Sequence, residues 1–341
     1  MKRVNREPWF DVVKFLAMWM VVVWHMIDYR SDFDLKKTPL IAANLIVGVN
    51  MPLFFMISGF FSRRLHESGD WHKLLLRLVS YFWPLAVFGL IFTTIDSLVL
   101  HRIPVAQIPL TAFKRFLFCG WFFYSLAICE VVTFCSYRLP RWRGALLSSA
   151  AFVTLVFLNG RFWYSSSTVA MIPFYWFGLC LLPYVLSLRR LFASLAVVGG
   201  IAYLGVVICA GNIATNGLGF YWNYLNPHRF LLRDLGLMFA RYGLGLAGCL
   251  AICGFIRMVS VVFPALVAKL AVFGTCTLGI YFVHGSLIRY FVVPMTHGMP
   301  AFPFLLLLAT LVFFLSHAFV FKTARVVILN RFLWGRSLVY A

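Results

Sequence analysis

Apolar segments of about 20 residues, each long enough to cross a ~30 Å hydrocarbon core as an α-helix, recur along this chain. They fall near residues 9–29, 41–61, 74–98, 116–136, 144–163, 168–187, 191–211, 234–256, 271–293 and 302–321. In lipid every backbone N–H and C=O must find its partner inside the segment, so runs of this length fold as helices. Of 341 residues 62% are hydrophobic and 12% charged, where a soluble domain carries about 25% charged residues. The expected fold is all-α: a polytopic membrane protein of about ten transmembrane helices, one integral domain over residues 1–341, with both termini on the same side. The run from Trp9 to Ile27 is too long for a removable signal peptide and no small-residue cleavage site follows it, so it reads as an uncleaved first span.

The formal net charge is +20, but its distribution argues against nucleic acid as a partner. The basic residues are scattered between apolar runs, with no basic tail and no nucleic-acid module. They read instead as the Lys/Arg excess of cytoplasmic loops. One side carries Arg63, Arg64, Lys73, Arg77, Arg138, Arg141 and Arg143 among others; the opposite side carries fewer, including Arg102, Arg115, Arg229 and Arg289. Both termini are therefore expected to be cytoplasmic. The outer side is still basic enough to suggest an anionic partner there. The eight cysteines lie almost wholly within apolar runs, and none clusters with histidine at metal-ligand spacing, so neither a disulfide framework nor a metal site is expected.

The first span departs from a plain anchor by carrying Asp11, Lys14 and His25. An Asp or Lys at a helix centre costs on the order of 2.5–3.5 kcal/mol. Asp11 and Lys14 are three apart and share a helix face; they read as an intrahelical ion pair near the interface, or as a fixed charge pair beside an anionic substrate. His25 lies about 16 residues beyond Trp9, roughly 24 Å at 1.5 Å per residue, which puts it in the outer third. His284, about 13 residues into the ninth span and so roughly 20 Å deep, arrives at a similar level. Asp28, one turn beyond His25, is placed to orient its ring. His25 alone reads equally as a structural histidine or as a general base. His317 reads as packing, and His66, His72, His101, His228 and His297 as solvated.

The second span ends Met51-Pro52-Leu53-Phe54-Phe55-Met56-Ile57-Ser58-Gly59-Phe60-Phe61-Ser62-Arg63-Arg64. Pro52 permits a kink, and Ser58-Gly59 lets another backbone or a ligand approach closely. Arg63 and Arg64, with Arg77 entering the next span, suit a phosphate-bearing cofactor or simply mark the cytoplasmic side. Asp96 and Glu130 are further intramembrane carboxylates, each expected to pair with a buried base such as Arg241. Tyr221, Trp222, Tyr224, His228 and Arg229 in the longest outer loop suit sugar rings, or an interfacial aromatic belt. Gly-x-Ser-x-Gly, P-loop, dinucleotide and His-Glu-x-x-His patterns are absent, which leaves serine hydrolase, nucleotide hydrolase and zinc protease chemistries unsupported.

Arg6-x-x-x-x-Asp11-x-x-Lys14 followed by His25, together with the Pro52–Phe60 motif, resembles the membrane acyltransferase-3 family of O-acyltransferases. Echoes follow in the family's order at Gly120-Trp121-Phe122-Phe123, Phe174-Tyr175-Trp176-Phe177-Gly178 and Gly279-Ile280-Tyr281-Phe282-Val283-His284. Gly274-Thr275-Cys276-Thr277 departs from the commoner pattern, which has serine there. The resemblance implies transfer of an acyl group, most often acetyl, from cytoplasmic acetyl-CoA to a hydroxyl of a cell-surface carbohydrate or lipid-linked glycan, without metal. It implies His25 as general base, with Asp28 beside it and Lys14 and Asp11 shaping the inner path. Ser58 and Gly59 would line the passage of the thioester arm, and Arg63, Arg64 and Arg77 would neutralise the cofactor phosphates. Tyr281, His284 and Trp222 are the candidates on the acceptor side. The competing reading is a proton-coupled transporter of an anionic or acylated solute, with Asp96, Glu130 and His25 as relay; such carriers commonly show internal repeats, and none is visible.

Overall fold

The computed structural model describes residues 7–28, 40–118, 120–158, 165–209, 232–292, 294 and 302–335, and no strand occurs among them. Among the described residues seven helices are long and apolar enough to cross a membrane, or up to nine if each of two bent helix pairs forms one span. The fifth expected segment, 144–163, which is not among these, appears as helix α7, Arg141–Phe157. Its 17 residues extend about 25 Å at 1.5 Å per residue, short of the ~30 Å core.

Two expected spans are broken rather than continuous. Helices α5 (Ile108–Phe118) and α6 (Trp121–Tyr137) meet at 53°. Helices α12 (Pro264–Gly274) and α13 (Thr277–Leu287) meet at 62°, within the Gly274–Thr277 stretch. Gly274 lies so close to helix α1 (Pro8–Asp28) that a Cβ there would stand 1.8 Å from the Asp11 carbonyl oxygen. The chain therefore packs backbone on backbone at Gly274 and turns immediately afterwards.

Helix α1 and helix α3 (Asn50–Ser68) form the centre of the bundle. Their spans are 67% and 72% buried inside the protein, against 22% for helix α10 (Arg189–Cys209), which leaves most of its surface outward. α1 packs against α3, α12, α13, α11 (Leu232–Val262) and α14 (Phe302–Arg325). Phe10 stacks on Phe60 at 4.7 Å between centroids, joining α1 to α3.

α3 crosses helix α8 (Ser165–Trp176) and the π turn after it, Phe177–Leu181, at the closest approach small residues allow. A Cβ on Gly59 would lie 2.0 Å from the Tyr175 carbonyl oxygen, and one on Gly178 1.8 Å from that of Met56. The two glycines thus admit one another's helix backbones, the small-residue packing expected between membrane helices. Pro183, just beyond the π turn, has no N–H to give to the preceding turn. At the opposite end, α3 stops on Gly69 in the left-handed region (φ 60°). Asp70 then caps helix α4 (Trp71–Leu98) through the N–H groups of His72 and Lys73. The Lys73 side chain holds the Asp70 carboxyl below its ordinary value, so this cap is intact above the usual carboxylate range and is released as pH falls through the lowered value.

Gly59→Val and Gly178→Val are each expected to destabilise the bundle by about 1–3 kcal/mol or more, the range for overpacking a close contact. Gly205→Ala, where no described atom lies within 4 Å, is expected to be neutral or slightly stabilising. Thermal unfolding in detergent micelles distinguishes them, and equal midpoints for all three variants would contradict the packing described.

Candidate active site

On α1, Val21, Trp24, His25 and Asp28 recur at i, i+3, i+4 and i+7 and therefore share one face. All four line a cavity of ≈ 260 Å³ whose remaining wall includes Asn50, Ser167, Trp121 and Tyr281. A second cavity of ≈ 330 Å³ lies against it, with His284, Arg115, Arg289 and Tyr290 in its wall. His25, Trp121 and Tyr281 border both. Together these chambers approach the size range of small-molecule sites, about 300–1,000 Å³.

The two histidines predicted to lie at similar depth are in direct contact. His25 Nδ1 is 2.9 Å from His284 Nε2, and His284 Nδ1 is 2.9 Å from the carbonyl oxygen of Ile280, one turn earlier on α13. A carbonyl only accepts, so His284 carries its proton on Nδ1 and presents a bare Nε2. His25 Nδ1–H donates to that nitrogen. In this tautomer Nε2 is the basic nitrogen of His25, on a half-buried ring that borders both chambers. His284 itself is 2% exposed.

This arrangement corrects one expectation. Asp28 lines the first chamber but lies at its exposed edge, and the ring nitrogen it was expected to orient is taken by His284. Spacing along α1 favoured Asp28; it could not show that α13 brings a second imidazole closer. Tyr281 stands beside the pair, its ring edge-on to His284 at 5.7 Å and against Phe122 and Phe123 at 5.2 and 4.9 Å. Trp222, with the rest of the outer aromatic loop, lies outside the described residues.

Asp11 and Lys14 form an ion pair of 2.5 Å along α1, on the order of 16 Å of helix from His25. Lys14 also stands 5.8 Å from the Phe61 ring centroid. Gly59 is occupied by the Tyr175 backbone, and the Ser58 carbonyl accepts from Ser62. Arg63 pairs with Glu67 at 2.7 Å and lines a cleft of ≈ 610 Å³ with Tyr137, Arg141, Trp176 and Cys180; Arg64 is exposed nearby.

The intramembrane carboxylates do not meet Arg241. Fully buried Glu130 receives Arg77 Nε at 2.8 Å, the Tyr81 hydroxyl at 2.9 Å and the Ser62 hydroxyl at 3.2 Å. A cofactor phosphate would have to approach Arg77 from its other edge. Asp96 is held by Arg115, with Arg102 3.9 Å away. The Asp96–Arg115 pair joins the consecutive helices α4 and α5, and the Glu130–Arg77 pair joins α6 to α4, two helices earlier. His66, expected to be solvated, is 3% exposed and lies 2.8 Å from the Tyr175 hydroxyl, because α3 runs on past residue 61 and turns it inward. Asn50, Ser167 and Arg115 complete the chambers without any signal in the sequence that would have singled them out.

The fold and site define a helical, multi-pass membrane protein with a hydrogen-bonded histidine pair facing chambers within the bundle. The acyltransferase-3 family model, described as an acyltransferase domain, matches residues 7–320, and the chain belongs to that family. No curated protein and no solved structure matches it.

Glu130→Leu leaves the Arg77 guanidinium without its carboxylate and is expected to destabilise the protein by about 3–5 kcal/mol, the cost of breaking a buried pair. Glu130→Gln keeps an acceptor for Tyr81 and Ser62 and should fall between this variant and the unaltered protein in thermal unfolding. An unchanged midpoint for Glu130→Leu would remove the structural role assigned to this knot.

Proposed function

We propose that this acyltransferase is an O-acyltransferase, moving an acetyl group from acetyl-CoA to a hydroxyl of a cell-surface carbohydrate or lipid-linked glycan. The observation that carries the reading is the chain Ile280 carbonyl, His284, His25, which ends on a histidine ring that borders both chambers. In this reading His25 Nε2 takes the acceptor's hydroxyl proton as the oxygen attacks the thioester carbonyl. The tetrahedral intermediate then expels the thiolate of coenzyme A, which recovers the proton from His25, giving ester and free thiol. No covalent enzyme intermediate is required. His284 keeps the His25 proton on Nδ1, and the Asp28 carboxylate in the same chamber favours the transient imidazolium.

The donor would enter at the end of the bundle carrying Arg63 and Arg64, where the ≈ 610 Å³ cleft combines guanidinium and aromatic groups suited to a phosphate-bearing nucleotide. Both chain termini would lie on that cytoplasmic side of a bacterial plasma membrane, and the chambers at the far end of α1 would take an outer acceptor. The fixed partners of Glu130 and Asp96 favour this reading over proton transport, since a carboxylate locked to a guanidinium is a poor station in a relay.

His25→Ala is expected to lower acyl transfer by at least about 10²-fold, the scale of general-base catalysis, in protein that remains inserted. His284→Ala, which removes only the orienting acceptor, should lose less, roughly 10–100-fold, and should change the pH profile of the remaining activity. Incorporation of radiolabelled acetyl from acetyl-CoA into the glycan fraction of membranes measures both. Undiminished labelling in His25→Ala would sink the assignment, and proton-coupled solute uptake into vesicles lacking acetyl-CoA would favour the transporter.

A further inference from the structure

The two chambers that meet at His25 differ in charge. Among the described residues the first contains Asp28, Asn50 and Ser167 and no basic residue besides the histidine, and the buried Ser167 hydroxyl has no partner among them. The second contains Arg115 and Arg289. Phe282, Gly285, Ser286 and Arg289 lie at i, i+3, i+4 and i+7, one face of α13 and the π turn that follows it (Ile288–Val292), and all four border this chamber. The small pair Gly285-Ser286 leaves space between the aromatic floor and the cation at the mouth.

A guanidinium beside hydrocarbon pairs with an anion or a carbonyl, or reaches out to water. Arg115 is paired with Asp96. The Arg289 side chain is exposed at the mouth and makes no hydrogen bond or ion pair with any described residue, while its chamber is walled by Phe88, Phe92, Phe282 and Tyr290. Asp96 is already committed to Arg115, with Arg102 also beside it, and the charged side chains lining the chamber among the described residues are cationic. Aromatic faces with a planar, bidentate cation suit a sugar ring carrying a carboxylate or phosphate.

We infer that the Arg115–Arg289 chamber binds an anionic group of the acceptor and thereby presents the acceptor's hydroxyl to His25, so that the enzyme selects acidic or phosphate-bearing glycans over neutral ones. This rests on the acyl-transfer reading for its purpose, while the binding of the anion does not. The shared chemistry is an oxyanion covalently part of the acceptor, supplied either by an acidic sugar residue or by the phosphates of a lipid carrier.

The test uses the full chain in phosphatidylcholine nanodiscs, which add no net lipid charge, with titration calorimetry against inorganic pyrophosphate, glucuronate and glucose. At least one anion should bind at least tenfold more tightly than glucose. Arg289→Gln should weaken that binding by about tenfold, the equivalent of one lost charged contact. Preference for pyrophosphate would assign the site to carrier phosphate, and preference for glucuronate to an acidic sugar. Arg289 is chosen because Arg115→Gln would also strip Asp96 of its partner and so test folding. Absence of anion binding, equal affinity in Arg289→Gln, or loss in Arg63→Gln instead would overturn the inference. Acetyl transfer by the unaltered protein is read separately. Transfer without Arg289-dependent anion binding leaves the transferase and removes the anion site; Arg289-dependent binding without transfer does the reverse.

Discussion

A charged or polar group inside a helix bundle of this kind must find a partner from the protein, because water is not there to supply one. The positions of the polar groups follow from that requirement. Glu130 collects Arg77, Tyr81 and Ser62 from α3 and α4; Asp96 takes Arg115 from α5; Asp11 and Lys14 satisfy one another along α1. Each such set fixes the azimuth of the helices that contribute to it. The bundle is apolar in composition, yet its helix rotations are specified by a few polar knots that leave little latitude. A rotation of α6 by one residue, about 100°, would carry Glu130 away from all three of its donors.

The histidine pair obeys the same rule with neutral groups. In the other sets opposite charges cancel. In the pair, two neutral imidazoles and one carbonyl form a directed chain, and the direction fixes the tautomer of each ring, so that Nε2 is the basic nitrogen of His25. That ring borders two chambers. The broken ninth span contributes to this: the 62° bend after Gly274 redirects α13 so that Tyr281 and His284 face α1.

How much of this could be read beforehand differs by residue. The helical class and most span positions follow from apolar length alone, and the Val21–Asp28 face follows from periodicity. The depth of His25 and His284 follows from helix rise. That rise places atoms along the membrane normal and says nothing about rotation, which is why Asp28, one turn away on the same helix, was the visible partner for His25 and His284 was not. The same blindness applies to Glu130, whose partner Arg77 lies two helices earlier, and to His66, whose burial depends on α3 continuing beyond the expected end. Gly59 illustrates a second limit: a glycine marks a close approach, but only the packed structure shows that the approaching object is the Tyr175 carbonyl rather than a ligand.

The segregation of charge around His25 has a consequence for chemistry on an alcohol. A base that removes a hydroxyl proton acquires positive charge, and a guanidinium beside it opposes this while a carboxylate favours it. Asp28 borders the chamber with no arginine among its described residues, and Arg115 and Arg289 border the one on the other side of His25, Trp121 and Tyr281. With the reacting hydroxyl on the Asp28 side and an anionic substituent on the arginine side, an acceptor straddling this partition keeps its own charge neutralised without a cation next to the nitrogen that must accept the proton. The reverse placement would put the substituent's charge against Asp28 and the developing imidazolium against two guanidiniums. On the proposed reading, the fixed charges of the described residues therefore favour one orientation for a charged acceptor, with its hydroxyl toward the His25 ring.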